Sequence, residues 1–492
     1  MYLLVNNIYN HDTILFTPNG FGEGIGTGRW LLEILGRMMS LLEMDSSIPL
    51  YKNSIAVIYL AVSSVVISKI LGTKNKYVNI AIGAITIVFP SIAGIMMHSY
   101  SSPYNTFAFL LMSVGVYFVI KNKITYFIVG IIMLACSLGI YQAYLPFAVT
   151  LYLLYMLRMC LEENDWYNTI KVGVKFAISL ILAYIVYIVC LNFSLSLFDT
   201  TLRSYKGVDE MGKINFDTLP NQIITCYKNV IKLPFRRYAG ISSSIIIRLC
   251  YMATYIMIAV NLIDIIIKTK REKKTIVNMA LFFCIIAILP IAISFMNIMV
   301  IDADEIHTLM VSSFVAIFYL LFILIDGKLP AKIELDNINN KNKVGTAIVF
   351  QLIIYIAVIN FSYQANGNFR KLHYLDQQSE NYYTVMLARI IEAEGYHNNS
   401  DIVFVGRNIA DPNPRNNWDG TIFDNTGREY DFEVSTFARK EFIENLFGYR
   451  TKEINKESEL YSQYKSEIEL LLLYPNAGSI DVIDDIVFVR FE

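Results

Sequence analysis

Between residues 55 and 362 the chain lays down about ten apolar runs, and the loops that join them alternate in charge. One set of loops carries Lys69, Lys74 and Lys76, then Lys121 and Lys123, then Arg158 and Lys171. The same set continues with Lys268, Lys270, Arg271, Lys273 and Lys274, and with Lys328, Lys332, Lys341 and Lys343. Loops of the other set, residues 98–103, 137–144 and 300–307, contain neither Lys nor Arg. Basic residues collect on the cytoplasmic side of a multi-span membrane protein, so the alternation assigns a side to every loop. Within hydrocarbon each backbone N–H must find its partner inside its own segment, so the runs are helices rather than strands.

A spanning helix needs about 20 mainly apolar residues. Candidate spans are 53–71, 78–97, 104–120, 124–137, 140–157, 172–196, 245–268, 276–298, 307–325 and 345–362, the fourth and fifth sharing one continuous stretch. The bulk numbers agree: 55% of residues are hydrophobic and 17% charged, and the mean hydropathy is +0.46. A net charge of −1 argues against a nucleic-acid partner. Cys136, Cys190, Cys250 and Cys284 fall within spans and Cys160 at the inner face, so Cys226 stands alone in an outer loop and no disulfide framework is expected.

The polar regions assigned outward are residues 1–50, 197–244 and 363–492. They divide the chain into an N-terminal outer loop with an interfacial helix (1–50), a transmembrane domain (51–362, including the large outer loop 197–244) and an extracytoplasmic tail (363–492). Residues 29–44 read as a helix lying on the membrane, with Leu31, Leu32, Ile34, Leu35 and Met38 on one side and Glu33, Arg37 and Ser40 on the other. In the tail, residues 368–394 and 457–473 have helical spacing, whereas 401–405 and 485–490 read as strands. No repeat or low-complexity tract is present. No cleavable signal peptide is visible. The first span enters from outside after only a short apolar fragment, residues 1–8, and a leading helix missing from this reading frame is the favoured explanation.

Candidate sites are few. Residues 20–28, GFGEGIGTG, give no G-x-G-x-x-G register and follow no strand, so they read as a flexible loop rather than a nucleotide site. Asp302, Asp304 and Glu305 resemble a D-x-D signature but sit outside, where nucleotide sugars are absent; a solvated acidic turn is the simpler reading. The His residues lack metal-ligand spacing, so neither a metal site nor a cofactor is expected. Asp12, beside His11, is the first carboxylate of the outer N-terminal loop, and Glu23 is the second; each reads as a solvated loop acid or as a general base. The corner at 137–146 is sharper. Tyr141 and Tyr144 suit an interfacial anchor, but the Gln142 amide near hydrocarbon needs partners. Amide and aromatic groups together also suit a sugar ring.

These segments carry a resemblance. GTGRW at 26–30, SLGIYQAYL at 137–145, Ala365 and Asn366 leading towards Tyr382 and 388–391, and the terminal YPNAGSIDVIDDIVFVRF look like the type II glucosyltransferase family of O-antigen-modifying membrane enzymes. The likeness spans nearly the whole chain, and GIYQAY is its most specific piece. That family is similar in architecture to the GT-C glycosyltransferases, which carry an acid in the first outer loop and use polyprenyl-phosphate sugars. The resemblance therefore implies an all-α polytopic, GT-C-like membrane protein with a small C-terminal extracytoplasmic α/β domain, in the inner membrane. Asp12 matches the first-loop acid, with Glu23 second; Gly28, Arg29 and Trp30 match the GRW element, and Tyr141 and Gln142 match the corner. The family begins with a complete transmembrane helix before the acid, which here is reduced to residues 1–8.

The implied reaction moves one hexose, glucose by family, from a polyprenyl-phosphate carrier to a surface polysaccharide. Arg29, Arg37, Arg203, Arg236 and Arg237 are the candidate phosphate ligands, because the planar guanidinium binds phosphate through two hydrogen bonds. The expected partners are the lipid-linked sugar, the polysaccharide acceptor and the bilayer, with a companion flippase and a polyprenyl-phosphate glycosyltransferase upstream. A polymerase or ligase using lipid-linked oligosaccharide, and a lipid or solute transporter, are the competing classes.

Overall fold

The computed structural model describes residues 2–16, 24–41, 48–162, 165–203, 216–272, 276–300, 306–329, 341–407 and 436–492. Among these, eight helices are long and apolar enough to cross a membrane: Pro49–Leu71, Lys76–Met97, Ser102–Ile120, Gln142–Glu162, Trp166–Leu197, Ile245–Lys268, Ile276–Ile293 and Val344–Ile391. The shorter apolar helix Ile124–Ile140 packs with them. The chain is thus an all-α polytopic membrane protein with a small sheet region at its C-terminus.

Two spans are irregular. Lys76–Val88 and Pro90–Met97 are separate helices, with Pro90 opening the second where its missing N–H leaves no bond unmade. The run read as a span over 307–325 is α-helical only over Ala316–Ile325, after tight turns at Thr308–Met310 and Ser312–Val315. Those turns rise about 2.0 Å per residue against 1.5 Å in an α-helix, so the run still covers roughly 30 Å. Phe318, Tyr319, Leu321 and Phe322 are fully buried, which places this segment inside the bundle. Irregular backbone at membrane depth survives only where protein surrounds it.

The two ends of the bundle differ. At the Lys-rich end the Asp326 carboxylate accepts the amides of Lys74 (2.9 Å) and Asn75 (2.9 Å), and Lys328 bridges Asn261 (2.7 Å) and Asp264 (2.6 Å). At the opposite end lie the Lys-free loop 98–102, the corner around Tyr141, and the N-terminal residues. Asn53 there donates to the Leu3 carbonyl (2.8 Å) and Ser99 to that of Ile8 (3.3 Å).

The last span does not stop at residue 362. One 51-residue helix, Lys341–Ile391, unites it with the helix read at 368–394. Its final turns bring Tyr383, Met386, Leu387 and Ile390 into the core of the tail domain, against Ile402, Phe404, Phe442 and Val487. Strands β1 (Asp401–Val405), β2 (Thr451–Ile454), β3 (Ile480–Ile483) and β4 (Ile486–Arg490) form a sheet in the order β2-β1-β4-β3. β1 runs parallel to β2 and β4, and β3 antiparallel to β4. The central strands are apolar on both faces, as a covered sheet requires: Ile402, Val403 and Phe404 are buried, and so are Val487, Phe488 and Val489. The expected helix over 457–473 is two short ones, Glu459–Gln463 and Lys465–Leu470. Ile14 enters the same core, and Asn445 donates to its carbonyl (2.9 Å), so the N-terminus and the tail domain share one end of the molecule.

Candidate active site

Asp12 lies in the first turn of the short helix His11–Phe16, which Asn10 caps by accepting the Thr13 amide at 2.8 Å. Its carboxylate is about half exposed (46%), and one oxygen stands 3.7 Å from Nε2 of His98, a ring only 14% exposed. His98 follows the helix Pro90–Met97, and its Nδ1 bonds the Gly94 carbonyl at 3.0 Å. A carbonyl cannot donate, so Nδ1 carries the proton and Nε2 is the ring nitrogen that faces Asp12. The two groups face each other across a gap too wide for a direct hydrogen bond. The sequence offered only one pointer to His98, its place in a Lys-free loop. Glu23, Asp302, Asp304 and Glu305 lie outside the described residues.

The GRW element and the Tyr141 corner, far apart in sequence, form one unit. The Trp30 indole covers Gly139, where a Cβ would stand 2.6 Å from Cε2 of the ring. Gln142 Nε2 donates to the Thr27 carbonyl (3.2 Å) and to the Tyr187 hydroxyl (3.2 Å), which itself donates to the Gly28 carbonyl (3.1 Å). Those bonds supply the partners that the Gln142 amide needs. They also hold residues 24–28 as a buried tight turn at Ile25–Thr27, where the glycine content alone suggested a flexible loop. Tyr144 is fully buried and its hydroxyl donates to the Asn105 carbonyl (3.0 Å). Tyr141 is buried beneath the Arg29 guanidinium, 5.4 Å from the ring centre. The segment 98–105 therefore runs between Asp12 on one side and the Tyr144 corner on the other.

The surface helix is Trp30–Leu41, and its polarity is turned from the expected one. Glu33 faces inward, 3% exposed, accepting the Gly24 amide (3.3 Å) and pairing with Arg37 (2.9 Å). Ile34, Met38 and Leu41 point out. The outward apolar face suits lipid, and the acid turns inward because the 24–28 turn presents an amide to it.

Of the five candidate arginines, three surround that turn. Arg29 has a buried Nε without a hydrogen-bond partner. Arg203 donates its backbone amide to the Gly26 carbonyl (2.9 Å) and lays its side chain along Gly26. Arg37 also stacks over Phe198, at 4.8 Å. Arg236 belongs to a separate network, donating to Asn229, which bonds Asn297 (3.1 Å) and Tyr238 (3.2 Å); the exposed Arg237 is its neighbour. Lys52 is a buried cation that donates to the Ser99 carbonyl at 3.2 Å, next to His98.

Several buried polar atoms on the elements that carry or adjoin this pair have no partner among the described residues: Asn10 Nδ2, Ser91 Oγ, Gln364 Oε1 and Asn368 Nδ2. Ser91 stands on the helix that ends before His98. Gln364 and Asn368 stand on the long helix packed against it, through Phe361 on Phe89 at 5.7 Å. Native proteins leave few such groups unpaired, and a set of them in one region marks space for water or a hydroxyl-rich ligand. In the tail domain a cavity of about 650 Å³ opens beside the edge strand β2, lined by Thr451, Lys452, Glu453, Glu459 and Gln463.

A family model described as glucosyl transferase GtrII matches residues 1–319. No curated protein and no solved structure matches the chain.

Proposed function

From the premise that the chain belongs to the glucosyl transferase GtrII family, we propose that it transfers a single glucose from a polyprenyl-phosphate carrier to a hydroxyl of a surface polysaccharide such as O-antigen. The transfer takes place on the extracytoplasmic side of the inner membrane. The observation that carries this reading is the Asp12–His98 pair at the end of the bundle opposite the Lys-rich one. A sugar hydroxyl placed in the gap between them meets the Asp12 carboxylate as its base.

The reaction is one displacement with inversion. The acceptor oxygen forms a bond to the anomeric carbon while the bond from that carbon to the phosphate oxygen breaks. The hydroxyl proton passes to Asp12, and the carrier leaves as a phosphate anion that needs no proton. A second catalytic carboxylate is therefore unnecessary, unlike in hydrolysis by paired acids. His98 Nε2 faces the carboxylate across that gap and helps to position the same hydroxyl. Negative charge grows on the phosphate as the bond breaks. Arg29, whose Nε lacks a partner, and Arg203 stand at the 24–28 turn to meet that charge, which favours the transition state. Arg37 is already paired with Glu33 and serves better to fix the helix. The unpaired polar atoms of Asn10, Ser91, Gln364 and Asn368 suit the sugar hydroxyls, with Tyr141 and Gln142 holding the wall behind Arg29. The cavity beside β2 suits the acceptor chain, with a companion flippase and a polyprenyl-phosphate glycosyltransferase supplying the donor.

The test is transfer of labelled glucose from polyprenyl phosphate to polysaccharide by membranes carrying Asp12→Asn. Transfer should be abolished while membrane insertion is unchanged, and wild-type transfer would remove Asp12 from the role. Label moving in blocks rather than single residues would instead indicate a polymerase.

A further inference from the structure

At the Lys-rich end, opposite Asp12, a cavity of about 410 Å³ opens between the helices Pro49–Leu71 and Lys76–Val88. Its volume lies in the range of about 300–1,000 Å³ usual for small-ligand sites. Ser64, Ser68, Lys69, Gly72, Thr73 and Asn79 line it. The Ser68 and Thr73 hydroxyls both donate to Asn79 Oδ1, at 2.7 and 2.5 Å, so the Asn79 Nδ2 group is left as an open donor. Lys69 is exposed and has no ion-pair partner among the described residues. Behind the Gly72 wall lies Arg158, so close that a Cβ at Gly72 would fall 1.4 Å from its Nη1. Nη2 of Arg158 is held by Glu162 at 2.8 Å, while its Nε is buried without a partner. Among the described residues no carboxylate lines the cavity; Asp326, the acid of the neighbouring turn, is engaged with the Lys74 and Asn75 amides.

We propose that this cavity binds the phosphate of a membrane lipid. The hydroxyl and amide donors and the Lys69 ammonium, which has no ion-pair partner among the described residues, call for an anion, and phosphate fits such a cluster. The lipid origin follows from the rim. Val62, Val65 and Ile80 are exposed on the same two helices and continue the apolar surface from the cavity along the bundle, where acyl or prenyl chains would lie. A phosphate without a tail would leave that surface unused.

The experiment uses the full-length chain purified in neutral detergent, with retained lipid read by native mass spectrometry. Phosphatidylglycerol should bind, and Lys69→Ala should weaken it about tenfold, the usual worth of one charge-assisted contact. Lys69→Arg should restore binding, which separates loss of charge from misfolding. Competition by a polyprenyl monophosphate would support the proposal and name the carrier as an alternative source of the same phosphate. Equal retention of phosphatidylcholine, unchanged binding in Lys69→Ala, or displacement by inorganic phosphate at matching concentration would overturn it. Asp12→Asn should bind phosphatidylglycerol like the wild type, so failure here and failure of the glucosyltransferase mechanism are read separately.

Discussion

Replacing Gly139 by Ala sets a methyl carbon 2.6 Å from Cε2 of Trp30, 2.7 Å from Nε1 and 2.8 Å from Cζ2. Carbon atoms in contact sit about 3.5–4.0 Å apart, so the overlap is about 1 Å. The indole is rigid and only 9% exposed, so it cannot swing aside; the helix Trp30–Leu41 or the Tyr141 corner must shift. Helix propensity favours Ala over Gly by about 1 kcal/mol. Overpacking costs about 1–3 kcal/mol. Parting the corner from the turn also loses the Gln142–Thr27 and Tyr187–Gly28 bonds, each worth about 0.5–1.5 kcal/mol. The net is a destabilisation of about 1–5 kcal/mol, because the clash and the lost bonds together exceed the propensity gain. If Arg29 meets the donor phosphate, a shift of about 1 Å also lowers transfer on the order of 100-fold. Thermal unfolding in detergent reads the first effect and transfer of labelled glucose the second. A Trp30→Leu/Gly139→Ala double variant should recover much of the midpoint, since the smaller side chain makes room. A Gly139→Ala single variant with wild-type midpoint and rate would refute the packing argument.

Further expectations rest on other contacts. His98→Ala should lower transfer by about 10²–10⁴, the usual worth of acid–base assistance, with unchanged retention of donor lipid. Arg29→Lys should lower kcat about tenfold and change KM less, because an ammonium lacks the two-pronged geometry for the charge that grows on the phosphate; a raised KM with unchanged kcat would reassign Arg29 to donor binding alone. Tyr187→Phe should destabilise the chain by about 1 kcal/mol, since the Gly28 carbonyl loses a donor, and a wild-type unfolding midpoint would deny that bond a role. In the tail domain the fully buried Arg439 lies between Phe404 (4.7 Å) and Phe491 (4.6 Å) and pairs with Glu453. Arg439→Met should cost about 3–5 kcal/mol, because an unpaired buried carboxylate remains. Burial already holds the Glu453 carboxyl above the usual carboxylate range, although Arg439 pulls it down. A raised folded value means the folded state binds the proton more tightly, so this contribution is present at acid pH and is lost as pH rises through that value. The Arg439→Met defect should therefore shrink on acidification, measured by denaturant unfolding across pH.

Apolar length and loop charge made the membrane helices legible, since hydrocarbon admits few other solutions. The run at 307–325 shows the limit of that signal. Hydropathy reports that a segment is surrounded by apolar matter, not whether lipid or protein does the surrounding, and this one is enclosed by the bundle. Central strands β1 and β4 were readable from their short continuous apolar runs. β2, a four-residue edge strand with Lys452 and Glu453 in it, and β3, with Asp481, carry weaker patterns and were missed, as was the helix Thr436–Phe447. Glu33 was placed on the wrong face because a helical wheel cannot see the Gly24 amide waiting for it. The joining of Trp30 to Gly139 and of Asp12 to His98 depends on contacts between distant segments, which periodicity does not encode. Resemblance marked the first pair of motifs; of the second it marked Asp12, and only the place of His98 in a Lys-free loop pointed to its partner.

The 51-residue helix Lys341–Ile391 is about 76 Å long at 1.5 Å per residue, more than twice the roughly 30 Å hydrocarbon thickness. It enters the bundle at one end, and at the other its last turns are built into the sheet domain, so it works as a lever with no joint. A tilt of about 5° within the bilayer would carry its far end some 4 Å over the roughly 45 Å that project beyond. The position of the distal domain is thereby geared mechanically to the packing of the membrane helices.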